Sequence, residues 1–374
     1  MDFGMAPEHR QLVEVARSVA AEIAPGYVQR DIAEKVPWDI PPLLARAELL
    51  GLNVSVEAGG QGAGELAAGL VAEVLAAADR QAASFLLAAS TACKLIHAGG
   101  DDELRAAWLP PLLAGEVTGA LGLTESQSGS DLANVRTTAV LSGDAWVIDG
   151  EKSSVSQSES QAAIVLARTG DGPELFLIPA DAAGVTFGPI GDLGVRPSRR
   201  AIMNMTGVRV PLSHCLSRGA GGLRAILALL TAGRLLVCMT SIGIATRALD
   251  DAIAWAQERQ TFGKMLSERQ GVAFPLVDAM IEIELARLIC LKGLWMADQG
   301  MNFRREAAMA KSWIPRTMVR ICHEAMLTFG HVGYSAEHPA QLLYRDAIGY
   351  EIGEGPENIQ KILLSRLAFG KTPS

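Results

Sequence analysis

The stretch LGLTESQSGSDLANVRTTA, residues 121–139, divides the chain into two regions of different sequence pattern. Before it, from Pro7 to about Thr118, segments such as QLVEVARSVAAEI and AGLVAEVLAAADR are rich in Ala, Leu, Val and Glu and predict helices. After it, up to about Arg218, short runs such as AAIVLART and ELFLIPA are separated by Gly, Asp and Pro and predict antiparallel strands. The quoted stretch is therefore predicted to be a crossover from helices to a sheet.

Helical patterning returns from about Gly222 to Ala368, after a glycine-rich segment at residues 219–222 that is suited to act as a short linker. Six apolar residues recur three or four positions apart, which predicts one stripe on a long helix of a bundle. They are Val277, Ile281, Leu285, Leu288, Leu291 and Trp295. We predict a mainly α chain with a central β domain: a helical domain at 1–118, a middle β domain at 119–218 and a helical bundle domain at 219–374.

Composition narrows the class of protein. The 374 residues are 49% hydrophobic, which is enough for two or three units with apolar cores. The 33 basic and 41 acidic side chains form no long run of one sign, which disfavours nucleic-acid binding. Arg234 interrupts the most apolar region, and the beginning MDFGMAPEHR lacks the layout of a secretory signal. The cysteines and histidines lack the spacing of metal ligands, so we expect no metal site, and five cysteines far apart are typical of a reduced, cytoplasmic protein. We also expect no membrane span.

The crossover is the first segment that could carry chemistry. It brings the hydroxyls of Thr124, Ser128 and Ser130 close in sequence to Gly129, which permits close approach of the backbone to a ligand. Asp131 can anchor the turn. The pattern suits a polyanion or a polar ring, but taken alone it is more typical of an ordinary Ser/Gly turn.

Three later segments also admit two interpretations. WVIDGEKSSVSQ, residues 146–157, is by itself a solvated hairpin end. ERQTFGK, residues 258–264, is by itself a helix that ends at Phe262 with Gly263 as its cap, or places Phe262 in the core. In residues 333–368, Glu354 lies between two glycines, where it is either a turn carboxylate before a helix or a base held close to a substrate.

All four segments resemble motifs of the acyl-CoA dehydrogenase family, in the same order. The crossover resembles TEPxAGSD, and WVIDGEKSSVSQ resembles a strand pair that ends in KxWITN. ERQTFGK with the later Gln270 resembles ERxxFGKxxxxxQ, and residues 333–368 resemble the closing segment that contains LYRDA and YEGT. The resemblance covers nearly the whole chain. It implies an amino-terminal α domain, a middle antiparallel β domain and a carboxy-terminal four-helix bundle, assembled as a homotetramer or homodimer with FAD at subunit contacts.

The resemblance also implies roles for individual residues. Glu354 aligns with the catalytic base, which removes a proton alpha to a thioester and needs a pKa raised by burial. The residues implied to bind FAD are Leu121, Leu123, Thr124, Gly129, Ser130, Ser154, Ser156, Arg259, Thr261, Phe262, Gln270, Leu327, His331, Pro356 and Asn358. Ser130, Arg234 and Gly355 are implied to contact the substrate, and Arg259 to reach the FAD diphosphate of a neighbouring subunit.

Departures from the family pattern lie mostly on the flavin side. Ser154 stands where the family has an aromatic residue, and Leu327 and His331 replace the first and last residues of QxxGG. Ser126 and Pro356 replace a Pro and a Thr. A buried ligand atom that loses its partner costs about 1–3 kcal/mol, so these changes imply weaker FAD binding unless other residues compensate.

The function implied is FAD-dependent dehydrogenation of an acyl thioester to its 2,3-enoyl form. Coenzyme A or an acyl carrier protein would deliver the acyl group, and an electron-transfer flavoprotein or similar acceptor would take the electrons. Two alternatives remain at this point: a flavin-poor partner subunit of a hetero-oligomeric dehydrogenase, and a flavin monooxygenase on the same scaffold.

Overall fold

The computed structural model describes residues 4–218 and 221–370. The first three residues of the amino-terminal segment discussed above, and residues 219–220 of the predicted linker, lie outside that part of the chain.

Helices fill the amino-terminal third, as predicted. They are α1 (Pro7–Ile23), α2 (Tyr27–Ala33), α3 (Ile40–Arg46), α4 (Gly64–Ala78), α5 (Arg80–Gly99) and α6 (Asp102–Leu113). Aspartates cap the last two: Asp79 accepts a hydrogen bond from the backbone N–H of Gln81 at 2.8 Å, and Asp101 accepts one from Leu104 at 2.8 Å. These caps satisfy N–H groups that have no partner within the helix, which fixes where α5 begins.

A curled sheet follows. Its strands are β1 (Gly119–Gly122), β2 (Thr138–Ser142), β3 (Ala145–Val155), β4 (Ala162–Thr169), β5 (Gly172–Pro179), β6 (Val185–Pro189) and β7 (Ala201–Pro211). The order is β1-β4-β2-β3-β7-β6, with β5 also paired to β4. The expectation of a purely antiparallel sheet is wrong at two contacts, because β1 and β2 both pair with β4 in parallel. The β2–β3 hairpin returns the chain to the end of the sheet at which β2 begins, so β4 runs in the same direction as β2 and β1.

The carboxy-terminal part is helical again, also as predicted. It contains α7 (Gly222–Glu258), the short strands β8 (Gln260–Thr261) and β9 (Lys264–Met265), α8 (Gln270–Asp298), α9 (Arg304–Phe329), α10 (Pro339–Ile352) and α11 (Glu357–Phe369). One apolar core extends from α1 through α10, so both helical regions pack against α7. The domain boundaries proposed from the sequence stay predictions.

Two helices, α5 and α7, are long and apolar enough to cross a membrane by length and composition, although Arg234 lies within α7. Just over half of each apolar window, 56%, is buried inside the protein. Core helices of soluble proteins pass the same test, so this is weak evidence for a membrane span.

The apolar stripe on α8 faces outward rather than into the bundle. Val277, Ile281 and Leu285 are 47%, 51% and 54% exposed. The opposite face of α8 packs inward, and its buried residues include the small Ala279 and Ala286. The periodicity located an apolar face correctly, but both faces of this helix are apolar, and packing against α7 and α9 selected the other one.

Close backbone contacts attach the helices to the sheet. A Cβ added at Gly99, the last residue of α5, would lie 1.6 Å from the carbonyl oxygen of Leu216, so only glycine fits there. This contact fixes the carboxyl end of α5 beside the β domain. The amino-terminal end of α7 also lies beside the β domain, because the N–H of Gly222 donates a hydrogen bond to Glu174 of β5 at 3.0 Å. Helices α5 and α7 therefore run side by side in opposite directions, with a cleft between them.

Candidate active site

A cavity of about 400 Å³ opens between α5, α7, the crossover after β1 and the turn before α11. Helix α5 lines it with Arg80, Ser84, Leu87, Ala88 and Thr91, and α7 lines it with Leu227, Leu230, Arg234 and Val237. Both sets recur three or four residues apart, so each helix presents one face to the cavity. The helix walls are apolar near their middle and polar towards the amino-terminal end of α5.

Glu354 lies on the wall of this cavity. Its backbone has φ of 57°, a left-handed conformation that is uncommon outside glycine. Its Oε2 is excluded from solvent and has no hydrogen-bond partner among the described residues. Gly233 on α7 lies beside the carboxylate, since a Cβ there would stand at an ordinary contact distance of 3.9 Å from Oε2. Burial raises the pKa of Glu354, and the positive charges of Lys311 and Arg234 oppose that rise.

Two buried side chains hold the turn that carries Glu354. Lys311 of α9 is 1% exposed, and its Nζ donates to the carbonyl oxygens of Tyr350 at 2.8 Å and Gly355 at 3.1 Å. Gln360 of α11, also buried, donates to the same Gly355 oxygen at 2.9 Å. These contacts clamp both ends of the turn. Sequence reasoning assigned neither residue a role, although a lone lysine in the apolar run AAMAKSW was a signal that could have been used.

A buried ion pair holds the crossover in shape. The Glu125 carboxylate accepts hydrogen bonds from Lys152 Nζ at 2.7 Å and from the N–H groups of Arg136 and Thr137 at 2.6 and 2.9 Å. Burial alone would raise the pKa of Glu125, but these hydrogen bonds outweigh it and lower the pKa to about 2. The loop between residues 124 and 137 is thus tied at both ends, which places Thr124 on the cavity wall.

The crossover and the end of β3 give the cavity a polar wall. Thr124, Ser130 and Ser156 line it, and within the described part of the chain their hydroxyls make no hydrogen bond. Ser154, with φ of 124°, accepts a hydrogen bond from Arg200 Nη1 at 3.0 Å. Unused hydroxyls beside backbone groups suit a polar, planar ring system, which is what the isoalloxazine of FAD offers. A volume of about 400 Å³ holds such a ring and part of a substrate, so the rest of a dinucleotide would lie outside.

The structure brings ten of the sequence-predicted residues together on this cavity, counted within residues 4–218 and 221–370. They are Leu121, Leu123, Thr124, Gly129, Ser130, Ser154, Ser156, Arg234, Glu354 and Gly355. Pro356 and Asn358 follow directly at the start of α11 without lining it. The others, Arg259, Thr261, Phe262, Gln270, Leu327 and His331, lie away from the cavity of their own chain.

Those distant residues gather at one end of the bundle. Trp255 near the end of α7 contacts Phe329 at the end of α9, with 5.6 Å between ring centroids, so Arg259 and His331 extend from neighbouring helix ends. Phe262 and Gly263, both with positive φ, form the two-residue turn between β8 and β9. Phe262 is 97% exposed. The sequence-based expectation of a helix that ends at Phe262 is wrong, because α7 ends at Glu258. The alternative expectation, which placed Phe262 in the core, is also wrong, because this side chain is exposed.

Comparison with known proteins identifies the family. Sequence models of acyl-CoA dehydrogenase domains match three consecutive parts of the chain: the N-terminal domain at residues 6–116, the middle domain at 120–208 and the C-terminal domain at 220–368. The chain belongs to the acyl-CoA dehydrogenase family.

Individual members of that family match over nearly their whole length. A Bacillus subtilis protein named probable acyl-CoA dehydrogenase YngJ is 34% identical, with 98% of this chain and 99% of that protein covered. The human mitochondrial short-chain specific acyl-CoA dehydrogenase is 32% identical, with 96% and 89% covered. Among solved structures, butyryl-CoA dehydrogenase from Megasphaera elsdenii superposes with a TM-score of 0.93 at 28% identity, covering 98% of this chain and 100% of that one.

Glutaryl-CoA dehydrogenase from Mycobacterium smegmatis superposes with a TM-score of 0.94 at 28% identity, covering 99% and 96% of the two chains. A second structure of that name holds FADH2. This acyl-CoA dehydrogenase is accordingly an FAD-dependent oxidoreductase that acts on CH–CH groups of acyl thioesters. The flavin and substrate predictions from the sequence are confirmed at this level.

Proposed function

We propose that Glu354 is the base of this dehydrogenase and takes the proton from the carbon alpha to the thioester carbonyl. The observation that supports this is the position of Glu354 on the cavity wall, with an Oε2 that is shielded from water and has no hydrogen-bond partner within residues 4–218 and 221–370. Bound FAD supplies the acceptor for the hydride that leaves the beta carbon. The product is the 2,3-enoyl thioester.

The surroundings of Glu354 suit proton removal. Burial raises the pKa of Glu354, which makes its carboxylate a stronger base, and the charges of Lys311 and Arg234 oppose that rise. The left-handed backbone at Glu354 and the contacts that clamp its turn hold the carboxylate at one position. A positioned base of this kind contributes about 10²- to 10⁴-fold to the rate.

We further infer that the polar wall faces the flavin. In this arrangement Leu121, Leu123, Thr124, Gly129, Ser130, Ser154, Ser156, Pro356 and Asn358 contact FAD bound in their own subunit. Ser130, Arg234 and Gly355 contact the acyl thioester. The exposed Phe262 hairpin supports a contribution of Arg259, Thr261, Phe262, Gln270, Leu327 and His331 to the FAD of a neighbouring subunit.

An assembly of subunits is supported by the outward face of α8. This face, the α8 stripe, combines Val277, Ile281, Leu285, Leu288 and Trp295 with the exposed Phe274 and Met280. A cluster of large exposed apolar side chains on one helix face typically marks an interface. We propose a homotetramer, or failing that a homodimer, of cytoplasmic location, which passes electrons to an electron-transfer flavoprotein or similar acceptor.

A second candidate function follows from the departures. Ser154 offers no ring to stack on a flavin, Leu327 is a 57% exposed apolar residue, and His331 is exposed. A partner subunit whose own flavin site has weakened, and which completes the flavin site of another chain through Arg259, would have these properties. Such a chain would purify colourless and gain flavin only with its partner.

The visible spectrum of the purified protein tests the first candidate. Acyl groups of different length, delivered as coenzyme A thioesters and on a carrier protein, are added anaerobically to the wild type, Glu354→Gln and Glu351→Gln. Glu351 is an exposed glutamate on α10 and serves as the matched control. We expect bleaching in the wild type and the control only. A flavin-loaded Glu354→Gln protein that bleaches at the wild-type rate would contradict the assignment of the base, and failure to bind FAD would favour the second candidate.

A further inference from the structure

The loop between β6 and β7, residues 190–200, has a backbone that other parts of the protein hold in place. The N–H of Ile190 donates to the carbonyl oxygen of Arg200 at 2.9 Å and closes the loop at its base. Val195 and Arg199 have φ of 58° and 45°, a left-handed conformation that residues other than glycine rarely adopt. Such residues persist only where their surroundings fix them. The contacts that fix this loop lie on two of its sides.

Helix α10 holds one side of the loop. Asp346 is 3% exposed, and its Oδ1 accepts a hydrogen bond from the N–H of Val195 at 2.6 Å. The neighbouring Arg345 donates from Nη1 to the carbonyl oxygen of Leu193 at 2.7 Å. Between these two contacts lies Gly194, where an added Cβ would stand 2.3 Å from the carbonyl oxygen of Arg345. The loop therefore lies against α10 at a distance that only glycine permits.

The other side of the loop holds the end of β3. The carbonyl oxygen of Ser198 accepts a hydrogen bond from the N–H of Gln157 at 2.6 Å. Arg200 donates from Nη1 to Ser154 Oγ at 3.0 Å. Ser154 and Gln157 flank Ser156, and all three line the cavity. The loop thus fixes the part of the polar wall that β3 supplies.

The sheet alone does not fix this end of β3. The pairing of β3 with β7 shifts register between Ser153 and Val155. Ser154 lies at the shift and has φ of 124°, and Gln157, beyond the last paired residue, has φ of 55°. A bulge of this kind bends the strand and leaves its extra residue without a partner in the ladder. The positions of these cavity-lining side chains consequently depend on the loop.

Helix α10 also carries the base. Asp346 precedes Glu354 by eight residues, and the turn that contains Glu354 follows directly after the last residue of α10. Lys311 holds the carbonyl oxygen of Tyr350 in α10 together with that of Gly355, so the turn is tied to the helix. One helix therefore connects the base at its carboxyl end with the polar wall, through the loop.

We propose that the 190–200 loop sets the distance between the base and the polar wall, with Asp346 and Gly194 as positioning residues. The inference rests on the proposed function, in which Glu354 removes the alpha proton and the polar wall faces the flavin. The proton and the hydride leave adjacent carbons, so the carboxylate and the wall must both lie within reach of the bound acyl group. A misplacement of about 1 Å in such an arrangement costs about 100-fold in rate. Asp346 and Gly194 do not line the cavity and act through the loop.

Two glycines of the loop give a matched pair of variants. Neither Gly191 nor Gly194 has a positive φ, so alanine suits both backbones. A Cβ at Gly191 meets no atom of the described residues within 4 Å, whereas one at Gly194 would overlap the backbone of α10. Gly194→Ala should push the loop away from α10, and Gly191→Ala should leave it in place. Both proteins are compared with the wild type with FAD bound.

The kinetics of flavin bleaching measure the effect. The substrate is the acyl thioester that bleaches the wild-type flavin fastest among those used to test the base, with and without deuterium at its alpha and beta carbons. Gly194→Ala should lower kcat on the order of 10- to 100-fold, with KM and FAD content unchanged. Its deuterium isotope effect should increase, because the transfer of hydrogen becomes the slowest step. Gly191→Ala should match the wild type.

Variants of Asp346 test the same contact from the side of α10. Asp346→Leu keeps the shape of the side chain but removes the acceptor for the N–H of Val195, so it should lower kcat in the same way. Asp346→Asn keeps an acceptor oxygen and should restore most of that loss. Tyr27→Phe removes only the hydrogen bond that Tyr27 donates to the other carboxylate oxygen at 2.9 Å, and it should keep the wild-type kcat. If Asp346→Leu does not fold, the two glycine variants decide alone.

Backbone hydrogen exchange supplies a readout that needs no turnover. The N–H groups of Gln157 and Ser158 both donate to the loop, so their exchange should accelerate in Gly194→Ala and not in Gly191→Ala. A Gly194→Ala protein with unchanged kcat, or with unchanged exchange at these two amides, overturns the proposal while the dehydrogenase function stands. An equal loss in Gly191→Ala, or a loss of unfolding free energy alone, overturns it as well. If no thioester bleaches the wild-type flavin, the proposed function fails and the positioning role fails with it.

Discussion

Replacing Lys311 with methionine should disturb the base without touching the substrate. The substitution keeps the length of the buried side chain but removes the two donors that hold the carbonyl oxygens of Tyr350 and Gly355. Gly355 keeps the hydrogen bond from Gln360, whereas the Tyr350 oxygen has no second donor outside its helix among the residues that the structure describes. One stranded carbonyl costs about 1–3 kcal/mol. Because methionine also removes the cost of burying a cation, we expect a net loss of about 2 kcal/mol in unfolding free energy.

The effect on catalysis should exceed the effect on stability. Lys311 is the largest influence that holds the pKa of Glu354 down, so its loss lets burial raise that pKa further. The acidic limb of the kcat/KM profile should move to higher pH. A turn that is no longer clamped should also lower kcat, by about 10- to 100-fold, because the base is no longer fixed against the alpha carbon.

The assay combines urea unfolding with pH profiles of anaerobic flavin reduction. Lys361→Met is the matched control, since Lys361 is an exposed lysine of the neighbouring helix α11. A Lys311→Met protein with wild-type flavin content, an unmoved acidic limb and unchanged kcat would refute this reasoning. A loss of stability alone would also refute the positioning role and leave only a structural one.

Three further predictions concern other groups. The pKa of Glu354 is raised above the ordinary value of 4.5, so the folded state holds that proton more tightly than the unfolded state does, and the stability that this contributes below pH 4.5 is lost as the pH rises through the folded pKa. Glu354→Gln should therefore be more stable than the wild type at pH 8 but not at pH 4. Urea unfolding at both pH values measures this difference. Lys152→Met leaves the buried Glu125 carboxylate without its cation, which should lower the free energy of unfolding by about 3–5 kcal/mol near neutral pH. Since the pKa of Glu125 is lowered to about 2, this destabilisation should shrink as the pH falls from 4.5 towards 2. An equal loss of unfolding free energy at pH 7 and pH 3 would contradict this. Ile281→Asp on the α8 stripe should shift sedimentation towards smaller species, and an unchanged assembly would remove the stripe from the interface.

Many residues that line the cavity could be named from the sequence alone. The crossover motif and the Gly-Glu-Gly turn named residues that the structure gathers on one cavity, among them Thr124 and Glu354. Those residues share local segments whose spacing carries the signal. Lys311 was missed because its local signal, a lone lysine in an apolar helix pattern, does not show which groups it contacts. One of its partners, Gly355, is 44 positions away.

The sequence by itself determined the order of helices, sheet and helices and the family, because composition, periodicity and motif spacing act within single segments, and Glu354 as the base stays a prediction. Only the tertiary structure decided which apolar face of α8 is buried, that β1 and β2 pair with β4 in parallel, and that Lys311 of α9 holds the turn that carries Glu354. Periodicity shows that residues share a face of one element. What covers that face depends on elements far away in the sequence, which come together only when the whole core packs.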